Sequence, residues 1–201
     1  MLRKMVYPKI ELLLNTAAAF LQSKGFTPNQ LTFAGMGLNF IAGWVYMAGL
    51  LPLGGFLLLV AGLGDMLDGP LARVSGKASR YGAFLDSVVD RYSDFFLFGG
   101  LAAYFAVTGQ IGYFLLIMGT IAGAFVTSYT KARSENFIAS CSTGLLERPE
   151  RIILLALGTL FTGLLGFVLW VLFIGTNYTA IQRILFTQKQ LASDTAEKTP
   201  L

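Results

Sequence analysis

The chain has 201 residues, of which 55% are hydrophobic and 13% charged, and its mean hydropathy is +0.65. That balance excludes an ordinary soluble domain and a disordered chain, and the length leaves little for a soluble module beside a membrane-embedded one. Histidine is absent and Cys141 stands alone, which excludes imidazole catalysis, an intramolecular disulfide and a thiolate metal cluster.

The chain opens on MLRKMVYPKIELLL, basic and short, without a small-residue cleavage site and interrupted by Pro8, Lys9 and Glu11. Positions 1–27 therefore read as an amphipathic segment on the membrane surface rather than a cleaved signal. Thr27-Pro28-Asn29 is a helix start. Apolar spans follow at 31–50, 51–71, 83–107, 111–128, 152–165 and 167–185, the fifth short and starting from Pro149. Pro52, Thr108-Gly109-Gln110 and the stretch 163–166 supply turns between them, and those three connections carry no Lys or Arg. The basic residues sit at the start (Arg3, Lys4, Lys9, Lys24), between the second and third spans (Arg73, Lys77, Arg80), between the fourth and fifth (Lys131, Arg133, Arg148, Arg151) and at the end (Arg183, Lys189, Lys198); only Arg91 falls inside a span. The positive-inside rule turns this map into an all-α integral membrane protein. It has six transmembrane helices, an N-terminal amphipathic interfacial helix and both termini cytoplasmic. The net charge of +4 is thus a membrane pattern and not a nucleic-acid footprint. The six-helix domain spans 28–187, and 188–201 reads as a disordered cytoplasmic tail.

Between the second and third spans the sequence GDMLDGPLARVSGKASRYGAFLDSVVD carries four aspartates. Asp65 and Asp68 are three apart and Asp86 and Asp90 four apart, so each pair shares a helix face. The two helices are antiparallel neighbours, and their carboxylates meet at the cytoplasmic end. Four ionised carboxylates repel one another, and a divalent cation relieves that repulsion. Oxygen ligands without His or Cys favour Mg²⁺ or Mn²⁺. Gly62, Gly64, Gly69, Ala72, Gly82 and Ala83 let a ligand or backbone approach, and Pro70 inside the helix is expected to kink it or free carbonyls. Arg73, Arg80 and Arg91 also fit as ion-pair partners of the aspartates, and an ion-coupled carrier would use the carboxylates as a relay.

Asp65, Asp68, Gly69, Ala72, Arg73, Gly82, Asp86 and Asp90 fill an eight-position pattern, Asp-x-x-Asp-Gly-x-x-Ala-Arg, eight residues, Gly-x-x-x-Asp-x-x-x-Asp. In this the chain resembles the CDP-alcohol phosphotransferase family of integral membrane enzymes. The resemblance implies transfer of a phosphatidyl group from a CDP-linked lipid, CDP-diacylglycerol, to an alcohol with release of CMP. It implies two Mg²⁺ (or Mn²⁺) ions on Asp65, Asp68 and Asp86, with Asp90 as a further ligand or the general base. It places Gly69, Ala72, Arg73 and Gly82 at the nucleotide, joined by Thr32 from the segment after Thr27. It also implies a homodimer in the cell membrane of a prokaryote, without nucleic acid as a partner. Asp94 continues the Asp86/Asp90 face one turn on but lies outside the pattern.

Ser-Tyr-x-Lys-Ala-Arg-x-Glu from Ser128 and Glu-Arg-Pro-Glu-Arg from Glu147 are similar to the branch making phosphatidylinositol phosphate or archaetidylinositol phosphate. Ser128, Lys131, Arg133, Arg148, Arg151 and Arg183 would then grip the phosphate of inositol 1-phosphate, Arg as a bidentate clamp. Positive-inside charge balanced by Glu135, Glu147 and Glu150 is the plainer account of the same residues. Glycerol 3-phosphate, free inositol and serine stay open as acceptors.

Overall fold

A computed structural model describes the backbone of residues 2–197 and the side chains of residues 11–193. The charged groups of Arg3, Lys4 and Lys9, and positions 198–201, lie outside the described residues. Among the described residues the chain is helical with no strand: α1 (Leu2–Ser23), α2 (Pro28–Met47), α3 (Leu51–Val74), α4 (Arg80–Val107), α5 (Ile111–Ser134), α6 (Arg148–Leu160) and α7 (Leu165–Glu197), with a 3-10 turn at Thr162–Leu164.

The ends of these helices follow from local chemistry. The Thr27 hydroxyl accepts the Gln30 amide at 3.4 Å while the Gln30 side chain accepts the Thr27 amide at 2.9 Å, a reciprocal cap with Pro28 in the first turn. Ser79 caps α4 by accepting the Gly82 amide at 3.0 Å. Gly49 and Gly109, at φ +80° and +73°, end the helices before α3 and α5.

Both carboxylate pairs lie on helices, α3 running through Pro70, whose ring removes one amide donor without ending the helix. Two differences from the sequence expectation matter. The fifth helix starts in the turn that holds Pro149, as expected, but ends earlier than 165, giving an α6 of 13 residues, about 20 Å long against roughly 30 Å of hydrocarbon. Finally, helix α7 continues through 188–197, where a disordered tail is expected; Gln188, Lys189, Gln190, Leu191 and Ala192 are good helix formers that extend it.

Helix α2 packs against α3 and α4, α5 against α7, and α6 bridges α3 and α7, with α1 laid on α3. Tyr46, Leu58, Phe98, Leu101, Leu155 and Leu169 fill the centre. Many large apolar side chains face outward, including Trp44, Phe56, Leu115 and Phe167, more than a water-facing surface tolerates. Three stretches, Leu51–Val74, Ile111–Ser134 and Thr162–Ser193, are long and apolar enough to cross a membrane. The α2–α4 crossing is backbone on backbone: a methyl on Gly100 would collide with Gly43, whereas one on Gly99 would meet nothing within 4 Å. Gly100→Ala is therefore expected to lower the thermal midpoint in detergent by about 3–10 °C, through overpacking of about 1–3 kcal/mol. Gly99→Ala should leave it unchanged; equal midpoints would refute this crossing.

Candidate active site

The four motif aspartates converge where α3 and α4 approach their shared turn. Asp86 lies close enough to repel Asp65, Asp68 and Asp90. Helix α2 supplies the third wall. The Thr32 hydroxyl reaches both the Asp68 Oδ2, at 3.0 Å, and the Pro28 carbonyl, at 3.1 Å. One turn further, Gly35 lies so close to Asp65 that a methyl there would collide with its Oδ1. The bare Gly35 backbone lets this carboxylate lie flat against α2, a constraint not visible from the motif spacing.

Beside the aspartates is a groove of about 260 Å³, lined by Thr32, Gly69, Ala72, Arg73 and Gly82 together with Asp68 and Asp86. Every residue expected at the nucleotide is thus brought to one place. Small side chains on α3 and α4 form its floor, and Arg73 and Lys77 bring positive charge to its rim. A larger groove of about 600 Å³ between α5 and α7 is lined by Tyr113, Leu115, Leu116, Trp170 and Phe173. It has no carboxylate or cation to do chemistry.

A second polar cavity, of about 170 Å³, gathers Ser128, Lys131, Arg148, Arg151 and Arg183, five of the six residues expected at the acceptor phosphate. Arg133 is not among them. Two residues past Lys131 it faces the other way around α5, where it is exposed and lies over the Phe137 ring at 4.7 Å. Arg91 takes a place there that the motifs did not assign. Its guanidinium donates to the Ser87 carbonyl and, at 3.0 Å, to the Ser128 hydroxyl, and stands 3.5 Å from Asp90. A lone cation inside an apolar span, next in sequence to Asp90, was the signal for it.

The cations are held in different ways. Arg183, 3% exposed, donates to the Thr143 carbonyl at 2.9 Å, the Thr127 carbonyl at 2.8 Å and Glu147 at 2.5 Å. It ties the 135–147 loop to α5 and α7. Arg151 is 2% exposed and meets Asp94 Oδ2 at 2.8 Å. Arg148 joins both regions: its Nη1 stands 2.9 Å from Asp65 and 2.7 Å from Asp90, and its Nε 3.3 Å from Asp94. Asp94, one turn past the motif, therefore anchors both arginines of the first turn of α6.

Among the described residues no three acidic, His or Cys side chains already close into a metal-holding cluster; Arg148 lies between Asp65 and Asp90. The donor set nonetheless suits a divalent cation. It consists of hard carboxylate oxygens, and Asp68 and Asp86 have no ion pair among the described residues. The guanidiniums of Arg91, Arg148 and Arg151 pair instead with Asp65, Asp90 and Asp94.

A sequence profile of the family described as CDP-alcohol phosphatidyltransferase matches residues 26–189. The chain is 35% identical over 188 residues to the archaetidylinositol phosphate synthase of Pyrococcus horikoshii, covering 89% of this chain and 96% of that one. Among solved structures it is similar to the phosphatidylinositol phosphate synthase of Mycobacterium tuberculosis with CDP-DAG bound, with a TM-score of 0.80, 29% identity and coverage of 87% and 92% of the two chains. The same enzyme in complex with manganese and citrate superposes with a TM-score of 0.81 at 29% identity, covering 87% and 88%. The eight-position aspartate motif, its groove beside α2 and a profile match over most of the length agree, and the chain belongs to the CDP-alcohol phosphatidyltransferase family.

Proposed function

We propose that this membrane enzyme transfers the phosphatidyl group of CDP-diacylglycerol to inositol 1-phosphate, giving phosphatidylinositol phosphate and CMP. The observation that carries the acceptor is the cavity lined by Ser128, Lys131, Arg148, Arg151 and Arg183 beside the aspartates. Such a cavity suits an alcohol that bears its own phosphate. The 260 Å³ groove takes the cytidine nucleotide along Gly69, Ala72 and Gly82, with Arg73 toward its phosphates. Asp90, at the border of the two cavities, takes the proton of the attacking hydroxyl. A new P–O bond forms to that oxygen as the P–O bond to CMP breaks. Thr32 orients Asp68 and Gly35 admits Asp65, so both carboxylates are fixed before substrate arrives. Divalent cations, which we assign as two Mg²⁺ or Mn²⁺ ions held by Asp65, Asp68, Asp86 and Asp90, would neutralise the diphosphate.

The charge map supports six crossings, both termini and the site on the cytoplasmic side of a prokaryotic cell membrane, and α1 on its surface. In that arrangement α6 needs the 3-10 turn after it to complete a crossing. Family membership supports a homodimer and answers the ion-coupled carrier.

The test is an acceptor panel with purified protein and CDP-diacylglycerol. Inositol 1-phosphate should release CMP with a kcat/KM at least about tenfold above inositol or serine, since a desolvated phosphate–Arg contact is worth about 1.4 kcal/mol or more. It should also exceed glycerol 3-phosphate, which shares the phosphate but not the ring. Preference for glycerol 3-phosphate, serine or free inositol would overturn the acceptor while leaving the family chemistry intact.

A further inference from the structure

Arg148 occupies oxygens that the metal reading also needs. Its Nη1 reaches Asp65 at 2.9 Å and Asp90 at 2.7 Å, so one nitrogen bridges two carboxylates on different helices. Its Nε is held separately by Asp94 at 3.3 Å. Asp94 itself is nearly enclosed, its side chain 8% exposed, and its other oxygen is fixed by buried Arg151. The same Arg148 lines the cavity that holds Lys131 and Arg183. A guanidinium and a divalent cation cannot share one pair of carboxylate oxygens, because like charges a few Å apart in a half-buried site repel strongly.

We propose that Arg148 is a tethered counter-cation and Asp94 its positioning residue. Pinned at Nε, Arg148 neutralises Asp65 and Asp90 while no metal is bound, gives them up when a divalent cation enters, and turns its terminal nitrogens to the acceptor phosphate. Metal loading and completion of the acceptor site thereby become one event. The acceptor half rests on the proposed inositol phosphate reading; the exchange half does not.

The exchange is read without turnover, by titrating substrate-free protein in detergent with Mn²⁺ and following free Mn²⁺ by electron paramagnetic resonance. Arg148→Gln is expected to bind Mn²⁺ about tenfold tighter than the parent, because a competing charge has gone. Arg148→Lys keeps the charge but has no Nε to hold Asp94 while reaching Asp65 and Asp90; it should bind about threefold tighter or more. Should Arg148→Gln not yield monodisperse protein, Arg148→Lys decides alone. Mn²⁺ affinity unchanged or weakened in the variant that folds overturns the exchange. In turnover assays Asp94→Asn should raise KM for inositol 1-phosphate about tenfold. Its KM for CDP-diacylglycerol should move less than about threefold; equal rises in both would make Asp94 merely structural. A parent that ignores inositol phosphate, with Arg148→Gln still binding Mn²⁺ more tightly, refutes the acceptor and upholds the exchange.

Discussion

Asp90→Asn is expected to lower kcat for CMP release by about a thousandfold or more, some 4 kcal/mol of transition-state stabilisation, while the protein still binds CDP-diacylglycerol. The magnitude follows from two losses at one atom pair. A positioned general base contributes about 10²–10⁴, and an amide offers a cation one neutral oxygen in place of a carboxylate. Asp90 is the motif carboxylate contacted by both Arg91, at 3.5 Å, and Arg148, at 2.7 Å. Both arginines also line the acceptor cavity. On the proposed reading, Asp90 therefore stands where an acceptor hydroxyl would meet the donor phosphate. The nucleotide groove does not include Asp90, so donor binding should weaken far less than turnover. The measurement pairs a single-turnover CMP assay with calorimetric titration of CDP-diacylglycerol in detergent. Turnover within tenfold of the parent would remove Asp90 from the proton-transfer role. Loss of donor binding in step with turnover would make it a donor-site residue instead.

Much of this site was legible because it is local. The spacing from Asp65 to Asp90 places two carboxylate pairs on two helix faces, and a short turn makes those helices neighbours. Helix periodicity puts Gly69, Ala72 and Arg73 on one face of α3, and the family resemblance assigns them, with Gly82 of α4, to the nucleotide groove. The cap at Thr27 was equally readable, since Thr-Pro-Asn-Gln fixes a helix start through contacts three residues apart. What escaped was long-range. Gly35 is an ordinary apolar-helix glycine until α2 is laid on α3, and Asp94 is one more polar residue until Arg148 and Arg151 arrive from 54 and 57 positions away.

The acceptor cavity was legible in its cations but not in their division of labour. Counting along α5 separates Lys131 from Arg133, and face geometry alone would have removed Arg133 from the set. Nothing in the sequence distinguishes Arg183, saturated by two carbonyls and Glu147, from Lys131, which is half-buried and has no ion pair among the described residues. Burial makes that distinction, and burial depends on how α6 and α7 close over α5. The same holds for the length of α6. Hydropathy continues past Leu160, and the helix stops there because the backbone turns at Phe161 into the 3-10 segment.

Arg151→Ala should be the most destabilising of the acceptor-cavity substitutions, while Lys131→Ala should leave stability unchanged. Arg151 is among the largest fully buried side chains. Removing it leaves a void and strips Asp94 of its 2.8 Å partner. Breaking a buried pair from one side costs about 3–5 kcal/mol, which lowers the thermal midpoint of a chain this long by about 6–20 °C. Lys131 is half-buried, and its loss should appear as a rise of about tenfold in KM for inositol 1-phosphate, the price of one charge-assisted contact. Stability and binding can be separated at Arg151 itself. The double variant Asp94→Asn with Arg151→Met replaces an ion pair by a neutral side chain and a flexible apolar one of similar reach. It should recover most of the midpoint lost in Arg151→Ala, because no buried carboxylate is left facing an empty position. Its KM for inositol 1-phosphate should exceed that of Asp94→Asn alone, because the charge of Arg151 is lost in addition to the anchor of Arg148. If the restored double variant has the KM of Asp94→Asn alone, Arg151 is only packing and leaves the acceptor set; if its KM is higher still, the buried arginine acts on the acceptor through its charge.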